Sequence, residues 1–105
     1  MTVARIAELN DAARTSFCDC RVVITQGIAA LGDIDAVCAK VRAFDKFTDR
    51  NDPYGEHDFG AFEHEGSTVF WKIDCYDSDL LMLSPDPSDP TVTARVLTIM
   101  LAEEY

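Results

Sequence analysis

The chain has 105 residues, of which 48% are apolar, and a formal net charge of −10. This is too apolar for a disordered chain and an ordinary length for one domain with one core, expected over residues 1–105. No run of about 18 apolar residues exists, so no membrane span is expected. The acidity argues against direct nucleic-acid binding, because phosphate contacts need Lys and Arg.

From Val3 to about Phe17, Val3, Ile6, Ala13 and Phe17 fall at helical spacing, and Thr2 is placed to cap the start. Arg21–Gln26 is β-branched and stops at Gly27, which predicts a strand. Ile28–Leu31 is a short apolar stretch ending at Gly32. Asp33 or Asp35 then caps a second helix, in which Ile34, Val37, Cys38, Val41 and Phe44 form one stripe. Thr48–His57 is a polar loop rich in turn residues. Asp58–His64 and Thr68–Tyr76 read as two strands of a hairpin turning at Glu65-Gly66. Alternation points Val69, Trp71, Ile73 and Cys75 to the helices and Phe70, Lys72, Asp74 and Tyr76 away. Asp77–Pro90 is a second loop, stiffened by Pro85, Pro87 and Pro90. Asp89 caps and Pro90 opens a last helix, with Val92, Val96, Ile99 and Met100 on its buried side. The expected fold is α+β: a two-layer sandwich of a short three-stranded antiparallel sheet and three helices, ordered α-β-α-β-β-α.

Charge is distributed unevenly. Residues 1–50 hold seven basic and seven acidic side chains, whereas residues 51–105 set twelve acids against Lys72 and Arg95. The whole excess therefore lies in the second half, where it attracts basic surfaces; the competing reading is solubility alone. The opening Met1-Thr2-Val3-Ala4-Arg5 leads into Glu8, Asn10 and Asp11, without the apolar core of a signal peptide, so a cytoplasmic location is expected. In that setting Cys18, Cys20, Cys38 and Cys75 are expected to be packed thiols, since Cys18-Asp19-Cys20 lacks redox or zinc spacing.

Asn51-Asp52-Pro53-Tyr54-Gly55-Glu56-His57-Asp58-Phe59-Gly60 resembles the signature of a small bacterial family known as a domain of unknown function. Phe70-Trp71-Lys72-Ile73-Asp74, Ser84-Pro85-Asp86-Pro87 and Leu97–Tyr105 extend the resemblance over nearly the whole chain. It implies a bacterial cytosolic setting, often alphaproteobacterial and carried on mobile elements. Short acidic proteins in that context often act against restriction or CRISPR machinery. No catalytic residue and no cofactor transfers with the resemblance.

Three kinds of site are open. Asp52, Glu56, His57 and Asp58 have the donors of a small metal-dependent enzyme. Asp58 and His64, on one extended strand, would lie roughly 20 Å apart and cannot share an ion. Cys75 would need a base such as His64 across the hairpin to act as a nucleophile. The favoured site is a surface for a protein partner, made of Glu56, Asp58, Asp74, Asp77, Asp79, Asp86 and Asp89 with Phe70 and Tyr76. Carboxylates so arrayed imitate duplex phosphates and suit the basic surface of a nucleic-acid-binding protein. Against this, Asp in turns is often local chemistry. A homodimer pairing through the open sheet face is a third possibility. The expectation is a non-enzymatic acidic binding module without a cofactor.

Overall fold

A computed structural model describes residues 2–105. Helix α1 spans Thr2–Ser16 and β1 spans Arg21–Ile24. Two helices follow, α2 at Gln26–Leu31 and α3 at Ile34–Ala43. The strands β2 (Phe59–His64), β3 (Ser67–Tyr76) and β4 (Ala94–Leu101) complete the fold. It is α+β, with three helices on a four-stranded sheet of order β1-β4-β3-β2. β1 runs parallel to β4; the other pairs are antiparallel. No helix among the described residues is long and apolar enough to cross a membrane.

The hairpin forms where alternation and turn chemistry place it. His64 pairs with Ser67, and the two turn residues, Glu65 (φ 48°) and Gly66 (φ 86°), are both left-handed. That is the backbone a two-residue hairpin needs to follow strand twist. Val69, Trp71 and Ile73 are buried under the helices, as the period-two pattern requires. In α3 the stripe of Val37, Cys38 and Val41 is buried, and Lys40 and Arg42 sit in the last turn, where the helix dipole favours cations.

The last element departs from expectation. Asp89 does cap, its Oδ1 accepting from Thr91 N at 2.9 Å and Thr91 Oγ1 at 2.6 Å. The turn it starts covers only Pro90–Val92, and the chain then extends as β4 instead of continuing as a helix. β4 is central, hydrogen-bonded on both sides, with Arg95, Leu97 and Ile99 buried on the helix side and Met100 buried on the other. Val96 and Met100 on its other face join Leu97, Ile99 and Leu101, so the sequence reads as a nearly continuous apolar run whose period does not separate strand from helix. The sheet is therefore four-stranded and mixed, not three-stranded and antiparallel. The apolar stretch Ile28–Leu31 is most of helix α2, which buries Ile28.

Trp71 sits at the centre of the core, fully buried, with Phe44 and Phe47 edge-on at 5.5 and 6.1 Å. Directly across the hairpin is Gly60, so that the indole lies over its backbone. A Cβ at Gly60 would collide with Nε1, Cε2 and Cζ2 of Trp71. The carboxylate of Glu104 ties the chain's end to β1 and α2, accepting from Thr25 Oγ1 at 2.7 Å, Gly27 N at 2.9 Å and Leu101 N at 2.8 Å. Those bonds, led by Thr25, hold its pKa below the ordinary value. Gly60→Ala is expected to cost about 1–3 kcal/mol through overpacking. Urea unfolding followed by Trp71 fluorescence measures this, and an unchanged midpoint would show that the indole can move aside.

Candidate functional site: a carboxylate cleft with an apolar rim

The first polar loop is built on α1. Asp11 accepts from Arg14 Nη2 at 3.1 Å and lies 2.9 Å from His57 Nδ1. The His57 ring stacks on Phe47 at 3.9 Å, nearly parallel to it, and its Nε2 lies 3.6 Å from Asp52. Asp52 Oδ1 also accepts from the His57 backbone N at 3.1 Å, which holds His57 in a left-handed turn (φ 55°). Asn10, fully buried, donates to the Glu56 carbonyl at 2.9 Å. Asp58 is fixed to β3 by its carbonyl, which accepts from Ile73 N at 2.8 Å. Tyr54, by contrast, is exposed.

These ties carry Glu56 and Asp58 to one cleft of about 250 Å³, shared with Asp74 of β3. Asn10, Ile73 and Cys75 line it, and Leu83 and Ser84 border it from the second loop. Burial pushes the Glu56 carboxyl above its usual pKa, and the charges of Asp58 and Asp52 push it further. Asp58 is raised by burial and by Asp52 and Asp74, against the lowering effect of a backbone hydrogen bond and of His57. Asp74 differs in having a cation, Lys72 Nζ at 2.9 Å.

The second loop folds back on β3. Asp77 N donates to Met82 O at 2.8 Å, Ser84 N donates to Cys75 O at 3.0 Å, and Tyr76 bridges to Leu83. The fold-back leaves Leu81, Met82 and Leu83 exposed at 81%, 71% and 77%. This apolar run, of which Leu83 borders the cleft, was visible in the sequence as Leu80-Leu81-Met82-Leu83 within a loop.

The nine expected partner-binding residues thus divide. Glu56, Asp58 and Asp74 converge. Asp77 Oδ1 accepts from Leu81 and Met82 N, Asp86 Oδ1 from Ser88, and Asp89 Oδ1 from Thr91, so these three carboxylates act first as local turn formers. Asp79 is exposed. Phe70 and Tyr76 lie on the open sheet face, where Phe70 packs edge-on against Phe59 at 5.1 Å and Tyr105 at 5.7 Å. The chain's own C-terminal residue thus meets Phe70.

Asp52, Glu56, His57 and Asp58 do not gather as metal donors. Among the described residues, only Asp33, His64 and Glu65 bring three such atoms within 4.8 Å of one another. There His64 Nε2 lies 3.3 Å from Asp33 and Nδ1 lies 2.9 Å from Lys40 Nζ. An ammonium only donates, so Nδ1 accepts and Nε2 carries the proton. A metal-bound imidazole needs the opposite, a free Nε2 lone pair and a proton donated from Nδ1. Lys40 therefore favours a polar tie over an ion. The pairing of Cys75 with His64 also fails, because His64 faces Ser67 while Cys75 lies eight residues further along β3, opposite Arg95. Burial raises the Cys75 thiol pKa, which keeps it protonated.

A family model described as "Protein of unknown function (DUF3768)" matches residues 24–104. No curated protein and no solved structure matches the chain.

Because Glu56 and Asp58 have raised pKa values, the folded state binds protons that the unfolded chain has released. Their contribution therefore lowers stability as pH rises from the ordinary carboxylate pKa through the folded one. Glu56→Gln and Asp58→Asn are each expected to raise Tm at pH 7. The gain should shrink as pH falls below that window, in calorimetric scans across pH; a loss of stability at pH 7 would contradict the charge balance described.

Proposed function

Given that the chain belongs to the DUF3768 family, whose description names no activity, we propose that it is a non-enzymatic, acidic protein-binding module. The observation that carries this reading is the cleft: Glu56 and Asp58 are held there with raised pKa values, beside the exposed Leu81–Leu83 rim. Carboxylates kept against their charge preference, next to apolar surface left exposed among the described residues, suit a partner bringing a cation and an apolar patch.

A Lys or Arg side chain of that partner fits the arrangement. Its methylene stem would lie along Ile73 and Leu83, and its charged head would sit among Glu56, Asp58 and Asp74. The remaining acids of residues 51–105 supply a long-range field that steers a basic surface towards the cleft. The partner proposed is a nucleic-acid-handling protein of a bacterial cytoplasm, whose phosphate-binding groove the carboxylates occupy. In a mobile-element setting, this is the action of an inhibitor of restriction or CRISPR complexes.

The test uses tagged protein and nuclease-treated bacterial lysate at about 50 and about 500 mM salt, a span over which the Debye length falls severalfold. A specific partner should be captured at low salt, be released at high salt and be displaced by added duplex DNA. The Glu56→Gln, Asp58→Asn, Asp74→Asn triple variant should fail to retain it. Capture that survives both high salt and the triple variant would place binding elsewhere, and a partner that DNA does not displace would remove the mimicry.

A further inference from the structure

Arg95 adjoins the proposed protein-binding cleft through Asn10, Cys75 and Pro87 but forms no ion pair with its carboxylates. It is 6% exposed. Its Nε donates to Asn10 Oδ1 at 2.7 Å and its Nη2 to the Pro87 carbonyl at 2.6 Å. Both partners are neutral. Among the described residues no carboxylate comes within 4.0 Å of it, whereas the other buried arginine, Arg14, has Asp11 at 3.1 Å. Nη1 makes no hydrogen bond among those residues. A buried guanidinium without a counter-charge is costly unless something supplies one.

Two cavities, each of about 380 Å³, are lined in part by Arg95. That volume falls in the ordinary range for small-molecule sites. The first lies between α1 and the approach to β4. Leu9, Ala12, Ala13 and Pro90 give it an apolar wall, and Ser16 and Thr93 add hydroxyls. Asp19 lines both cavities. It is exposed, on a left-handed residue (φ 57°), and stands beyond ion-pair distance of Arg95.

The two charges decide the ligand class. A plain anion would satisfy Arg95 but meet Asp19, and a plain cation would do the reverse. A zwitterion answers both, and the apolar wall favours a hydrocarbon body. We infer that this first cavity binds a free α-amino acid with an apolar side chain. Its carboxylate pairs with Nη1 of Arg95, its ammonium turns to Asp19, and its side chain lies on Leu9, Ala12 and Ala13. The inference stands independently of the protein-binding reading.

Isothermal titration of the full chain with L-leucine, N-acetyl-L-leucine and isopentylamine tests it. L-leucine is expected to bind, and removing either charged end should weaken binding about tenfold or more, the worth of a charge-assisted hydrogen bond. Two variants avoid the buried arginine. Asp19→Asn, at a backbone conformation that Asn tolerates, should weaken L-leucine about tenfold and abolish its advantage over the N-acetyl form. Ala12→Phe, at an exposed position of α1 that lines the cavity, should abolish binding while the thermal melt is unchanged. Absence of L-leucine binding at millimolar concentration to folded protein would overturn the proposal. So would equal binding of all three compounds, or L-leucine binding that neither variant alters.

Discussion

The burial of Arg14 between α1, α3 and the sheet is the constraint on which the rest of the structure rests. Its guanidinium lies 5.0 Å from the Trp71 ring and 5.5 Å from the Phe47 ring. Nη1 donates to the Val41 and Arg42 carbonyls at 2.9 and 3.3 Å, the open end of α3, where a helix dipole favours a cation. Nη2 takes Asp11. One side chain thus joins both long helices to the central tryptophan, through aromatic faces, backbone acceptors and one carboxylate. Among the described residues its Nε has no hydrogen-bond partner, and the indole N–H of Trp71 has none either. Attraction between cation and ring answers part of that cost.

The same contacts set the first loop. Phe47, held by Arg14 and Trp71, provides the platform for His57, and Asp11, held by Arg14, approaches its Nδ1. His57 and Asp52 then lock the turn from which Glu56 and Asp58 project to the cleft. The core and the cleft are therefore one mechanical unit. Substitution of Phe47 would loosen the loop without touching any carboxylate in the cleft.

At the cleft the protein gives up stability for charge. Glu56 and Asp58 lie near Asp52 and Asp74, with Lys72 already engaged by Asp74, while Leu81, Met82 and Leu83 remain in water. The solvated acids elsewhere differ, since Asp77, Asp86 and Asp89 each cap backbone or hydroxyl donors and would be useful with no partner present.

The sequence by itself determined the elements whose signals are local. The β2–β3 hairpin follows from strict alternation and from Glu65-Gly66 at its turn; α1 and α3 follow from apolar residues at three- and four-residue spacing; the acidic bias of residues 51–105 follows from counting. Tertiary structure alone decided the identity of β4 and the content of the cleft. Ala94–Leu101 has apolar residues suited to either a helix or a strand, and it becomes a strand because β1 and β3 satisfy its backbone on both sides. The partners in those pairs lie some 20 to 75 residues away along the chain, beyond any periodicity a local window contains. Likewise Asn10, Glu56, Asp74 and Leu83 meet only because α1, two loops and β3 converge, and no spacing between them records that meeting.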